Sequence, residues 1–196
     1  MAVDLKIVVT DAPPLVTLAA ARSLSYLLYP ELPIIVPDAV FYEATAAISK
    51  LGAQDIINWY RKHVDKIHIE PTAAFQNETT LLALGQATGR LPRDLGERAA
   101  LEVIRDSDLL KPDEKAILLS DDRDAERLIV VDPSKTVLLT TWDFLQQLEA
   151  AQRIQSADAV VEMARAAGRD VPKRDLWSRH DPSVKDAVKS ILSKRP

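Results

Sequence analysis

Short runs of Val, Ile and Leu alternate along the chain with longer stretches in which apolar residues recur at helical spacing. The runs at residues 5–10 (LKIVVT), 34–36 (within PIIVP), 66–70 (KIHIE), 115–120 (KAILLS) and 135–140 (KTVLLT) predict five strands. Each is short and apolar, as expected of strands covered on both faces. Between and after them, residues 13–28, 38–50, 53–63, 78–88, 94–105, 123–130 and 141–150 predict helices. Strands alternating with helices predict an α/β chain, a three-layer α/β/α fold around a short parallel sheet of about five strands.

Local signals sharpen several boundaries. Pro13 and Pro14 suit a first helical turn, where a missing N–H costs nothing, so the first strand stops at Asp11. Pro37 closes the second strand, and Asp38 is placed to cap the helix that follows. After Gln155 the pattern changes to two helices with no further strand, SADAVVEMARAAG and DPSVKDAVKSILSK, joined by RDVPKRDLWSRH. Gly168 is a natural stop for the first, and Asp181 with Pro182 a natural start for the second. Residues 1–155 therefore read as one domain. Residues 156–196 read as a helical extension too small to stand alone, packed on that domain or on a partner.

A length of 196 residues fits a single core, and 47% hydrophobic with 28% charged residues is globular composition without a disordered or fibrous bias. The absence of Cys excludes disulfides, thiolate metal clusters and thiol nucleophiles, and suits a reducing cytoplasm. Asp4 and Asp11 interrupt the N-terminal apolar stretch, against a signal peptide, and no run reaches the roughly 20 apolar residues of a membrane span. A cytoplasmic protein without membrane contact is expected. The net charge of −4 is uneven: residues 169–196 hold eight Lys or Arg against four Asp, which leaves −8 on the rest. Such a basic tail is either a solvated helix face or a phosphate-contacting segment.

The acids stand out by their address. In an open parallel sheet, ligands bind beyond the carboxyl ends of the strands. Asp11 directly follows the first strand, and Asp121 and Asp122 directly follow the fourth. Glu43 lies about one and a half turns into the helix after the second strand, and Glu97 opens a later helix beside Asp94. Read singly, Asp11, Asp94 and Asp121 to Asp124 also suit helix caps and polar turns. Read jointly, convergent carboxylates repel unless a cation neutralises them, and hard oxygen donors select Mg²⁺ or Mn²⁺. Metal-held water attacking phosphorus in line is nuclease chemistry. His63, His68 and His180 show no metal spacing, and neither a phosphate-cradling GxxxxGK[ST] loop nor GxGxxG is present.

The stretches VVTDAPPLVTLA, VPDAVFYEA, DLGERAALEV, ILLSDDRDAERL and VLLTTWDFL together resemble the PIN domains, which include VapC-type toxin ribonucleases. The resemblance covers residues 5–155 and rests on four acids in order, since no single motif would suffice. It implies Asp11, Glu43, Glu97 and Asp122 as catalytic metal ligands, with Asp94, Asp121 and Asp124 as auxiliaries. Within DLGE it favours Glu97, with Asp94 as the capping alternative, and within SDDRD it favours Asp122 over Asp121. Thr140 and Thr141 are either near the metal or caps of the next helix. The chain departs from the pattern at Pro13, where the family often carries Ser or Asn. The resemblance further implies an Mg²⁺- or Mn²⁺-dependent endoribonuclease acting on RNA, a homodimer, and a cognate antitoxin partner, with Trp177 a candidate contact or a core residue.

Arg90, Arg93, Arg98 and Arg123 flank the acids and suit either the phosphate backbone or surface ion pairs. A receiver domain is disfavoured by the lone Asp11 and by Thr140-Thr141-Trp142 after the fifth strand. An aspartyl phosphatase is disfavoured by Pro13 where a second Asp belongs. The remaining alternative is a PIN-like module that binds RNA or protein without cleaving.

Overall fold

The computed structural model describes residues 3–86, 90–106, 108–111, 113–123 and 135–193. Its five strands are β1 (Asp4–Thr10), β2 (Ile34–Pro37), β3 (Ile67–Glu70), β4 (Glu114–Leu119) and β5 (Thr136–Leu139). They form one sheet in the order β3-β2-β1-β4-β5, every pair parallel. The eight α-helices among the described residues are α1 (Ala12–Ala20), α2 (Asp38–Thr45), α3 (Ala53–Lys62), α4 (Ala73–Ala83), α5 (Leu95–Asp106), α6 (Thr141–Ala150), α7 (Ala157–Ala166) and α8 (Pro182–Leu192). The chain builds outward from β1 through β2 to β3, then returns to the other side of β1 to lay down β4 and β5. The reversal puts Thr10 opposite Leu119, so the carboxyl ends of β1 and β4 adjoin at the switch point of the sheet.

Helices cover both faces. Val8, Ile34, Ile117, Leu119 and Val137 face a core shared with Leu15 and Leu18 of α1, Ile56 of α3 and Phe144 of α6. Val9, Ile35, Ala116 and Leu118 face Ala100, Val103 and Ile104 of α5 on the other side. The C-terminal helices belong to the first of these cores, because Val160, Val161 and Ala164 of α7 and Val188 and Leu192 of α8 are buried in it. Among the described residues no helix is long and apolar enough to cross a membrane.

Three helix boundaries differ from the pattern-based ones. The helix expected over 13–28 ends at Ala20, where Arg22 takes a left-handed φ of 54° and Ser23 N–H bonds the Leu18 carbonyl at 2.7 Å. That closure caps the helix without glycine, and the chain continues as a 3₁₀ turn, Leu24–Leu28. The helix expected over 38–50 stops at Thr45, with Lys50 Nζ donating to the Glu43 carbonyl at 3.1 Å near its end. The helix expected over 78–88 starts earlier, at Ala73. Thr72 caps it, Asp38 accepts from Thr72 N–H and Oγ1, and Glu102 accepts from Ala73 and Ala74 N–H. The helix expected over 123–130, and with it Asp124, falls almost wholly outside the described residues.

Candidate functional site

Asp11 continues the β1–β4 ladder, its N–H bonding the Leu119 carbonyl at 3.0 Å, before α1 begins. Its Oδ1 accepts from Ala12 N–H at 2.8 Å as the helix cap, and its Oδ2 accepts from Ser120 Oγ at 3.0 Å. Pro13 offers no side-chain donor there, and Ser120 supplies one from the neighbouring strand end. Only 5% of Asp11 is exposed. Burial pushes its carboxyl up to about 6. The two hydrogen bonds pull the other way, whereas the charges of Glu43 and Asp122 raise it further.

Glu43 reaches Asp11 across Gly96. A Cβ built on Gly96 would stand 3.2 Å from Asp11 Oδ1, 3.3 Å from Val40 Cγ2 and 3.4 Å from Glu43 Oε2, so both carboxylates border the same point in space. A side chain at this position in the first turn of α5 would press on both acids and on Val40 by a few tenths of an ångström. Glu43 is an exposed residue, yet partial desolvation raises its carboxyl, with Lys50 opposing. Asp122 N–H bonds Ser120 Oγ at 3.2 Å, which links it through that hydroxyl to Asp11. Glu97 follows Gly96 in the first turn of α5, partly buried, and Asp94 precedes the helix on the exposed side.

Asp121 points elsewhere. Its carboxylate accepts from Thr141 N–H and Thr141 Oγ1, both at 2.8 Å, and its carbonyl accepts from Arg174 Nη2 at 2.7 Å. Burial raises this carboxyl too, but the Thr141 bonds and the charges of Arg169 and Arg174 oppose it. Thr140 caps α6 in a capping box with Asp143, whereas Thr141, the first residue of that helix, donates its N–H and hydroxyl to Asp121. Among the described residues no group of three or more His, Asp or Glu side chains is gathered closely enough to hold a metal ion. Asp11 and Glu43 border the same point beside Gly96, and Asp122 is tied to Ser120 by its backbone N–H.

Beside the pair, a cleft of about 410 Å³ opens between α2 and residues 91–96, with Glu43 and Gly96 on its wall and Tyr42, Lys50 and Arg93 around it. Of the flanking arginines, Arg98 is paired with Glu78 at 3.2 Å, whereas Arg93 lines the cleft. None of the histidines belongs here: His63 ends α3, His68 is exposed in β3, and His180 Nε2 lies 2.6 Å from the Leu138 carbonyl. Ser120 and Gly96 were not among the acids and caps the sequence singles out. A glycine just inside a helix was the available signal, because it costs helix stability and so marks a close approach. Compared with protein-family models, curated proteins and solved structures, the chain finds no match.

Proposed function

We propose that this chain hydrolyses RNA phosphodiester bonds with the help of Mg²⁺ or Mn²⁺. The observation that carries the reading is the meeting of Asp11 and Glu43 over Gly96 at the β1–β4 switch point. The donor set fits such a cation. Mg²⁺ keeps several waters and is usually held by one or two carboxylates together with substrate phosphate, without a closed protein cage. Asp11 and Glu43 would hold it, and the resemblance to PIN domains adds Asp122 and Glu97 as further ligands. When bound, such an ion lowers the pKa of attacking water and stabilises charge on the phosphoryl oxygens.

The chain's own residues prepare that chemistry. Ala12 N–H and Ser120 Oγ fix the orientation of the Asp11 carboxylate. Lys50 and Arg93, beside the cleft, supply positive charge for the phosphates on either side of the bond to be cut. With no histidine pair in the site to transfer protons through a 2′-hydroxyl, the products expected are 5′-phosphate and 3′-hydroxyl ends. The residue resemblance to PIN toxins extends the proposal to a homodimer neutralised by a small antitoxin; light scattering that finds only monomer at high concentration overturns the dimer.

The test is cleavage of single-stranded RNA by purified protein with Mg²⁺ or Mn²⁺, with EDTA, and with Asp11→Asn. Cleavage should need the cation and fall at least about a hundredfold in the variant. Metal-independent cleavage, or 2′,3′-cyclic phosphate ends, overturns the mechanism. A second reading, an RNA- or protein-binding module that does not cleave, is favoured by the net charge of −4 and by the lack of a three-acid group among the described residues. RNA binding without cleavage under every cation tried would establish it in place of the first.

A further inference from the structure

Tyr42 is 49% exposed although it sits one residue from Glu43, and its ring is braced by Phe75 at 5.4 Å between centroids and a 47° tilt. It lines the cleft that also holds Glu43 and Gly96. We infer that this cleft is a nucleobase subsite for single-stranded RNA, in which an unpaired base stacks on Tyr42 while Lys50 and Arg93 meet the adjoining phosphates. The inference rests on the RNA reading above and specifies the form in which RNA is recognised.

Three observations carry it. The cleft's volume of about 410 Å³ lies in the range of roughly 300–1,000 Å³ typical of small-ligand pockets. Its ionised side chains are Lys50, Arg93 and Glu43, so the cations outnumber the acid and complement a phosphate backbone in a chain that is acidic overall. Its wall includes Glu43 and Gly96, and Gly96 also stands against Asp11, so a base seated on Tyr42 shares the cleft with one acid of the pair and borders the other through Gly96. A base enters such a cleft only when it is unpaired, and an aromatic face accepts any base, which makes the subsite selective for single strands and tolerant of sequence.

The experiment measures binding by fluorescence anisotropy in EDTA, where no cleavage intervenes, using a short labelled oligoribonucleotide, the same chain with abasic positions, and its duplex. Tyr42→Ala should weaken single-strand binding by about tenfold, whereas Tyr42→Phe and Tyr42→Trp retain it. The parent should bind the abasic chain as weakly as Tyr42→Ala binds the intact one, and the duplex more weakly than the single strand. Arg93→Ala and Lys50→Ala should flatten the salt dependence. Thermal melts confirm that each variant is folded, and the half-exposed ring makes Tyr42→Ala tolerable.

Equal affinity of parent and Tyr42→Ala, or failure of the parent to separate intact from abasic or duplex RNA, overturns the subsite. Cleavage by the parent is read separately with Mg²⁺. The expected binding pattern without cleavage leaves the subsite standing and overturns catalysis. Metal-dependent cleavage that Tyr42→Ala leaves unchanged at limiting RNA overturns the subsite and leaves catalysis standing.

Discussion

Asp11 and Asp121 are both buried carboxylates at the carboxyl edge of one sheet, both are raised by burial, and they answer that burial in opposite ways. Asp121 has Thr141 on its carboxylate and two guanidinium groups, Arg169 and Arg174, for electrostatic company. Its neighbour Asp143, fully buried, goes further: its carboxylate accepts from Thr140 N–H and Oγ1 and from the N–H groups of Leu176 and Trp177, which fastens the C-terminal strap across the sheet end. Among the described residues Asp11 has one donor per oxygen, and the charges that act on it are Glu43 and Asp122. Among the described residues, the charges that act on Asp121 are arginines that offset it, and those that act on Asp11 are carboxylates that add to it. Acid content and strand-end position are the same in the two regions; the donors and charges around each acid separate a structural carboxylate from a candidate functional one.

The largest effect is expected at Asp143. Asp143→Ala removes the acceptor for several buried N–H groups at once and should destabilise the fold by about 4 kcal/mol or more. Urea denaturation checks it, and a loss below about 1 kcal/mol would show that the strap is held by its apolar contacts.

Asp11 should respond with the opposite sign. Its folded-state carboxyl, raised to about 6 from an ordinary 3.8, binds its proton more tightly than in the unfolded chain. The corresponding stability is present in full at low pH and is lost as pH rises through the window from about 4 to about 6. In metal-free protein at neutral pH, Asp11→Asn should therefore be more stable than the parent, by roughly 3 kcal/mol at most. The advantage shrinks as pH falls through that window. Mg²⁺ should raise the melting temperature of the parent but not of Asp11→Asn, and Asp121→Asn should keep the metal response while losing stability. Parallel melting curves of parent and Asp11→Asn from pH 4 to pH 7 would contradict the linkage.

The smallest effect on stability is expected at Gly96. Gly96→Ala gains up to about 1 kcal/mol in helix propensity but pushes a methyl against Asp11 and Glu43. Net stability should move by less than about 1 kcal/mol. Cleavage should fall about tenfold, because the methyl displaces the two carboxylates by a few tenths of an ångström. Unchanged cleavage in this variant would mean that the approach at Gly96 is packing alone.

Much of this fold was legible before any coordinates. The five runs became the five strands within a residue or two. Four are apolar because they are covered on both faces, whereas the edge strand β3, with His68 exposed, is not buried throughout as expected. The terminal punctuation was also readable where chemistry is local: Gly168 closes α7 with a φ of 88°, and Asp181 caps α8 through Ser183 N–H. The boundaries that eluded the pattern depend on distant partners. Nothing in the sequence around Thr72 says that Asp38 and Glu102 will receive the start of α4, and Arg22 adopts a left-handed turn more often seen for glycine.

By itself, then, the sequence determined the alternation of strands and helices, the apolar core and the placement of acids at strand ends, because hydrophobic periodicity and local capping act over a few residues. Only the tertiary structure decided which acids share a site. Asp121 and Asp122 are adjacent in the chain, yet one is bonded to Thr141 and the other is linked through Ser120 toward Asp11. Glu43 and Asp11, 32 residues apart, border the same point beside Gly96. The balance between desolvation, hydrogen bonds and neighbouring charge is a sum over groups brought together in space, and that sum cannot be evaluated until the sheet has set β1 beside β4.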